Sequence, residues 1–121
     1  MDSKNDPSLN GLFHAIFFQI AGIAIALMAN SANFALILFA DTTGHEIALC
    51  VPIIATALFT FVWGDATLQS QVANIKDAAV ETKNSHAYQF ISTQPYNLLR
   101  LMNFALAVAL AASQFSILFG E

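Results

Sequence analysis

The segment "LFHAIFFQIAGIAIALMANSANFALILFA", residues 12–40, decides the fold because it contains no charged side chain. As a helix it would be about 43 Å long, whereas the hydrocarbon core of a bilayer is about 30 Å thick. Dividing the run at its polar residues "NSAN" would leave a second piece too short to cross. We therefore predict one long transmembrane helix over residues 12–40 that is tilted or extends through the headgroups.

The composition of the whole chain agrees with a membrane protein. Of its 121 residues, 57% are hydrophobic and only 10% are charged, with a mean hydropathy of +0.63. A soluble domain carries about a quarter charged residues, so this chain could not cover a water-facing surface. The four Lys and Arg residues are too few and too dispersed for a nucleic-acid interface. The predicted class is an all-α integral membrane protein.

The start of the chain differs from a secretory signal peptide. The tail "MDSKNDPSLNG", residues 1–11, has a net negative charge, whereas the corresponding part of a signal peptide is positive. We therefore expect the first apolar segment to be retained as a span. Asp6 is expected to cap its helix, with Pro7 at the first helical position.

Two further spans are predicted, at residues 46–64 and 95–119. The loop before the second span contains Thr43 and Glu46 at the spacing of a capping box. Pro52 within that span removes a backbone donor, which favours a kink. Trp63 lies where an aromatic residue at the bilayer interface is expected. The third span is expected to begin near Pro95, a residue common at helix starts.

The basic residues predict an orientation. Three spans place the N-terminal tail and the second loop on one side of the membrane, and all four basic residues lie on that side: Lys4, Lys76, Lys83 and Arg100. The loop between the first two spans carries none. The positive-inside rule then predicts a cytoplasmic N-terminus and an external C-terminus. We expect this protein in a bacterial inner membrane or another energy-transducing membrane.

Residues 65–94 are the one soluble element that the sequence predicts, and they begin with an apolar stripe. Leu68, Val72, Ile75 and Ala79 recur at spacings of four and three, which follow one face of a helix. No Pro or Gly interrupts the segment, so the second helix is predicted to continue as a cytoplasmic stem to about Lys83.

The stripe must be covered, and the sequence allows two ways of covering it. The return segment "HAYQFISTQPY", residues 86–96, could fold back and place Tyr88, Phe90 and Ile91 on the stripe or in the headgroups. Another subunit, either a second copy or a larger partner, could cover it instead. The first alternative is favoured because a short stem commonly packs on its own hairpin. Both could hold in part.

Asp65 and Arg100 are the most informative charges because they lie at a similar depth at the cytoplasmic ends of spans two and three. An ion pair between them would offset the desolvation of Arg100. The alternative is that Arg100 extends to the headgroups while Asp65 is solvated. The shallow depth favours this alternative, since extension costs little so close to the interface.

Asn30 and Gln114 lie at equal depth in spans one and three, where amides tend to hydrogen-bond across helices. A polar cavity is the less favoured alternative, because no ionisable group accompanies them. Two ridges of small residues are also predicted to be packing surfaces. They are Gly22, Ala26 and Asn30 on the first helix, and Ala105, Ala109 and Ser113 on the third.

The sequence predicts no metal site and no catalytic site. Its His, Cys, Asp and Glu residues do not cluster with ligand spacing, and no nucleophile accompanies a base. His14 is the one histidine inside a span. A single bond to a chlorophyll-type pigment stays open for it, although an interfacial imidazole is favoured. No cofactor is predicted, and a pigment or lipid contact stays open.

These observations favour a non-catalytic accessory or structural subunit of a larger membrane complex. The alternative is a homo-oligomeric pore, supported by a belt of polar residues in the spans. The belt comprises Gln19, Asn30, Asn33, Thr56, Thr60, Asn103 and Gln114. A third, weaker hypothesis is a small regulator whose cytoplasmic hairpin docks a soluble partner.

Overall fold

The computed structural model describes residues 6–120, which form five helices and their connecting loops. In chain order these are α1 (Pro7–Phe39), α2 (Glu46–Lys76), α3 (Val80–Lys83), α4 (His86–Ser92) and α5 (Tyr96–Phe119). Helices α1, α2 and α5 are long and apolar enough to cross a membrane. The prediction of a helical protein with three candidate spans is therefore confirmed.

The long helices form a bundle in which α2 is central. Helices α1 and α2 are an antiparallel hairpin, in which Gly11 lies against Asn74 and Gly22 against Trp63. Helix α5 packs antiparallel on α2, and α1 and α5 contact each other much less extensively. We call the end where α1 and α5 begin and α2 ends the base, and the opposite end the apex.

Local sequence signals fix two of the helix starts. The Asp6 side chain accepts a hydrogen bond from the Ser8 backbone N–H at 3.0 Å, and Pro7 is the first helical residue, as predicted. Pro95 immediately precedes α5, also as predicted. Helix α1 runs through "NSAN" without a break.

The predicted capping box of Thr43 and Glu46 is wrong. Helix α2 begins after His45, and no side chain caps it. The backbone N–H of Thr43 instead donates to Asp41 Oδ1 at 3.1 Å. Gly44 then has a φ of +83°, a conformation that glycine adopts without the Cβ penalty. Thr43 therefore belongs to a turn that Asp41 closes, and it is not available to α2.

The prediction of an unbroken helix to Lys83 is also wrong. Helix α2 ends at Lys76, and residues 77–79 are not helical. The single turn α3 follows and ends at Lys83, the predicted end of the longer helix. The break has a tertiary cause, because the Asp6 carboxylate accepts bonds from the Ala79 N–H at 2.9 Å and the Thr82 hydroxyl at 2.7 Å. A carboxylate at this position stabilises the start of a new helical turn.

Three of the buried apolar side chains cluster at the apex. Ile37, Ile53 and Leu118 form a cluster at the apex, one from each long helix. Its half-buried neighbours are Leu49, Cys50, Ala111 and Phe115. Cys50 is half-buried there, and its thiol donates to the Glu46 carbonyl at 3.3 Å.

Candidate functional site

The predicted apolar stripe is largely covered by the chain itself. Leu68 is 3% exposed, while Val72, Ile75 and Ala79 are half-buried. The Tyr88 hydroxyl donates to the Ile75 carbonyl at 3.2 Å, so the return segment folds back as the favoured alternative predicted.

The return segment supplies only part of that cover. Ile91 is half-buried, but Phe90 is 70% exposed and contributes little. The first third of α1 also lies along this part of α2, where Gly11 contacts Asn74. No local pattern in the sequence indicates that α1 supplies this contact.

A chain of hydrogen bonds joins all three long helices at the base. The Gln71 side chain is 4% exposed and donates to Gln19 Oε1 on α1. Its own Oε1 lies 3.3 Å from the Tyr96 hydroxyl, which also lies 3.0 Å from the Ile91 carbonyl. Gln71 therefore links α1 to α5 through α2.

Asp65 and Arg100 form the ion pair that the sequence left open. Arg100 Nε lies 2.7 Å from Asp65 Oδ1, and one terminal nitrogen lies 3.3 Å from Oδ2. This two-point geometry fixes the orientation of both side chains. The Arg100 side chain is 42% exposed and that of Asp65 17%. Extension of Arg100 away from a solvated Asp65, which the sequence favoured, is not the arrangement in the structure.

The amides of Asn30 and Gln114 meet between α1 and α5. Gln114 Nε2 donates to Asn30 Oδ1 at 2.8 Å, and Asn30 Nδ2 donates to the Ala26 carbonyl at 2.7 Å. Both residues face protein, with exposures of 6% and 1%. Gln114 Oε1 has no hydrogen-bond partner among the described residues. The contact therefore leaves one buried polar atom unsatisfied.

Asp6 is a buried carboxylate that connects the start of α1 to Ala79 and to Thr82 in α3. Besides Ala79 and Thr82, it accepts bonds from the backbone N–H and the hydroxyl of Ser8. These bonds, led by the one from the Ser8 hydroxyl, hold the pKa of Asp6 well below its usual range. Sequence reasoning identified the helix cap but missed the partners more than seventy positions away.

Three glycines allow side chains of a neighbouring helix to approach the backbone closely. A Cβ on Gly22 would overlap the Trp63 indole, one on Gly64 the Asn103 amide, and one on Gly11 the Asn74 amide. Two of these side chains are fixed by hydrogen bonds between helices. Trp63 Nε1 donates to the Phe18 carbonyl at 2.7 Å, and Asn103 Nδ2 to the Phe61 carbonyl at 3.1 Å. Trp63 therefore joins α1 to α2 in addition to lying where an interfacial aromatic was expected.

The two predicted small-residue ridges have different surroundings. Gly22, Ala26 and Asn30 on α1 are all buried. Ala105, Ala109 and Ser113 on α5 are all exposed. The chain therefore covers the first ridge and leaves the second uncovered.

The polar belt that suggested a pore is satisfied largely inside one chain. Asn33 Nδ2 lies 3.2 Å from the Thr56 hydroxyl, and the Thr60 hydroxyl donates to the Thr56 carbonyl at 2.8 Å. Gln19 accepts from Gln71, as described above. The bonds of Asn33 and Gln19 join α1 to α2, whereas that of Thr60 lies within α2.

His14 lies on the wall of a groove of about 550 Å³ between α1 and α2. The other histidines are elsewhere: His45 immediately precedes α2 and His86 begins α4. Within residues 6–120, no three His, Cys, Asp or Glu side chains group closely enough to hold a metal ion. The pigment interpretation of His14 stays a prediction.

Most of these contacts fasten the helices to one another. Two surfaces stay open, namely the exposed ridge on α5 and the groove between α1 and α2. Comparison of the chain with protein-family models, curated proteins and solved structures finds no match.

Proposed function

We propose that this protein is a non-catalytic integral membrane protein that serves as an accessory or structural subunit of a larger membrane complex. The observation that carries the proposal is the exposed ridge of Ala105, Ala109 and Ser113 on α5. Small residues let helix backbones approach closely, and the matching ridge on α1 is already used in this way. The α5 ridge is thus a surface of the same kind that no residue between 6 and 120 covers.

A count along the helices supports the membrane placement. Twenty helical residues span about 30 Å, the thickness of the hydrocarbon core. Counted from the apex, that length ends near Gln19 on α1, Ala66 on α2 and Leu99 on α5. The three positions lie at one level, next to the Asp65–Arg100 ion pair. A bilayer placed between this level and the apex leaves the Asp6 contacts and α4 outside the hydrocarbon.

The charges favour a cytoplasmic base. Lys76, Lys83 and Arg100 all lie at the base, whereas the apex loop at residues 40–45 carries no Lys or Arg. Lys4, the fourth basic residue of the prediction, lies outside the described residues. A reporter fused after Glu121 is expected to be external, and a cytoplasmic reporter would contradict this orientation.

The subunit role is tested by native gel electrophoresis after extraction in mild detergent. The wild-type chain is expected to co-migrate with larger proteins. Replacing both Ala105 and Ala109 with Leu should release it, because the added side chains separate the two backbones. The matched control replaces Ala21 and Ala24, which are exposed on α1, and should leave co-migration unchanged.

The same gel discriminates the alternative of a homo-oligomeric pore. A discrete ladder of the chain with itself would favour that alternative and contradict the accessory role. The internal hydrogen bonds of the polar belt, such as that between Asn33 and Thr56, give the alternative less support than the sequence did. A monomeric band that both double variants leave unchanged would contradict both hypotheses.

A further inference from the structure

We propose that the groove between α1 and α2 binds one phospholipid of the cytoplasmic leaflet. The groove is lined by these two helices alone, with a volume of about 550 Å³. The residues on its wall are Gly11, His14, Ala15 and Phe18 of α1 with Phe59, Val62, Trp63, Ala66, Thr67, Ser70 and Asn74 of α2. The proposal rests on the membrane placement proposed above but not on the subunit role.

The character of the groove changes along its length. Towards the apex its wall is apolar and aromatic, with Phe59, Val62 and Trp63 on α2 facing Phe18 on α1. Trp63 is held in place by its bond to the Phe18 carbonyl and packs edge-on against the Phe18 ring. This end is an open apolar groove, in which an acyl chain can lie against the aromatic rings.

The other end of the groove is polar. His14 on α1 and Ser70 on α2 contribute an imidazole and a hydroxyl, and Asn74 closes the end against Gly11. The imidazole N–H and the hydroxyl can donate hydrogen bonds to phosphate oxygens. Among the described residues that line the groove, none is acidic. The donors that this end offers to a phosphate are those of His14 and Ser70, since Asp6 and Asp77 line the adjoining cavity beyond Asn74.

The change from apolar to polar coincides with the membrane boundary, which was located independently by counting from the apex. Phe59 lies about 10 Å on the hydrocarbon side of Ala66, while Ser70 lies about 6 Å on the other side. His14 lies about 8 Å beyond Gln19. The headgroup layer occupies about 5–8 Å on each face of a bilayer. The polar groups of the groove are thus at phosphate depth, and the aromatic groups are at acyl-chain depth.

The test is native mass spectrometry of the full chain in detergent with added phosphatidylglycerol. One lipid is expected to stay bound at collision energies that remove detergent. Replacing Ala66 with Phe fills the groove from an exposed position and should weaken lipid binding about tenfold or more. The matched control Ala21→Phe lies close to the same level but outside the groove, and it should bind as the wild type does.

Two further measurements test the phosphate contact. His14→Leu changes an exposed residue, so the chain is expected to fold normally and to bind phosphatidylglycerol several-fold more weakly. Diacylglycerol with the same acyl chains, which lacks phosphate, should bind about tenfold more weakly than phosphatidylglycerol.

Each contrary result would overturn the proposal. Equal lipid retention by Ala66→Phe and Ala21→Phe would show annular lipid only. Equal binding of diacylglycerol and phosphatidylglycerol, or normal binding by His14→Leu, would show that the polar end does not hold the phosphate. The experiment does not depend on any partner protein, so it can fail or succeed separately from the subunit role.

Discussion

The base and the apex of this bundle are held together by different interactions. The base uses polar side chains that bridge helices: the Asp6 contacts, the chain through Gln71, and the Asp65–Arg100 ion pair. The apex uses the apolar cluster around Ile53, and its amide contact leaves Gln114 Oε1 unsatisfied. The difference lies in charge: the ion pair and the Asp6 carboxylate are at and beyond the proposed membrane boundary, whereas helix-bridging bonds nearer the apex, such as that between Asn33 and Thr56, join uncharged groups.

The base and the apex also differ in what their interactions determine, namely register at the base and packing at the apex. Apolar packing tolerates sliding of one helix along another, whereas a hydrogen bond or an ion pair specifies one register. Gln71 and Asp65 therefore set how far α1 and α5 are displaced along α2. The apex cluster then adds packing to a register that is already fixed. Substitutions at the two ends should differ accordingly, in size and in kind.

The largest effect is expected at Gly22 on α1, which lies between the base and the apex. Gly22→Leu should lower the free energy of unfolding by about 3 kcal/mol, because the added Cβ overlaps the Trp63 indole and that indole is bonded to α1. The measurement is an SDS titration of the protein in mixed micelles. Ala24→Leu, at an exposed position on the same helix, is the control. Similar losses for the two variants would mean that close approach at Gly22 is unimportant.

Apolar packing at the apex is tested by Ile53→Ala. Ile53 is 1% exposed, and its truncation leaves a cavity between the helices. The expected loss of unfolding free energy is about 2 kcal/mol, at the low end of such substitutions, because lipid is itself apolar and burial from lipid gains little. Ile54→Ala, where the side chain is 49% exposed, should cost much less. An equal cost would contradict an apolar core at the apex.

Short-range patterns were sufficient to predict the spans and two helix starts. A run without charges and the pairs Asp6–Pro7 and Pro95–Tyr96 act within a few residues, so the sequence displays them directly. The stop at Lys76 is different. The segment up to Thr82 contains no helix breaker, and its break depends on a carboxylate from the other end of the chain.

The interaction sites also divide into those that local sequence patterns predict and those that depend on tertiary contacts. The depths of Asn30 and Gln114 can be counted along two helices, so their meeting was predictable. The contacts of Gly22 with Trp63 and of Gln19 with Gln71 require the register of the α1–α2 hairpin, which no local pattern specifies. The role of Thr43 in a turn was not predicted, because Asp41 and Glu46 are both close enough in sequence to pair with it. In the structure the turn at Gly44 goes with the bond from Thr43 to Asp41.

The Asp6 contacts at the base should respond to pH. A carboxylate whose pKa is lowered by folding stabilises the folded state above its usual pKa of 3.8. That contribution is lost as the pH falls from there through the lowered pKa. Amide hydrogen exchange at Ala79 is expected to be protected near neutral pH and to lose protection in acid, after correction for intrinsic rates.

The variant Asp6→Asn should abolish this pH dependence. Its exchange at Ala79 at neutral pH should be about tenfold faster than in the wild type, since opening is local. Protection at apex residues such as Ile53 is the internal control and should not change. Loss of protection at both ends together would mean that the base does not open separately from the apex.

A charge swap tests the ion pair that joins α2 to α5. Asp65→Arg places two cations together, and Arg100→Asp places two anions together, so each single variant should raise the unfolding equilibrium constant about fivefold. The double variant should recover most of the loss because it restores opposite charges. The effect is modest because Arg100 is 42% exposed. Additive losses in the double variant would show that the two residues act independently.

The smallest effect is expected for the amide contact at the apex. Gln114→Leu removes a hydrogen bond to Asn30, and such bonds between membrane helices contribute about 0.6 kcal/mol. The same substitution also removes the unsatisfied Oε1, whose burial is unfavourable. The two terms oppose each other, so the free energy of unfolding should change by less than about 1 kcal/mol.

A double-mutant cycle separates these two terms. The variants Asn30→Leu, Gln114→Leu and their combination should give a coupling energy of about 0.6 kcal/mol. Both side chains are buried, so Leu at either position replaces an amide of similar size. A loss of several kcal/mol for Gln114→Leu alone would show that the amide pair fixes the register at the apex. In that case the polar control of register would extend through the whole bundle and would not be confined to the base.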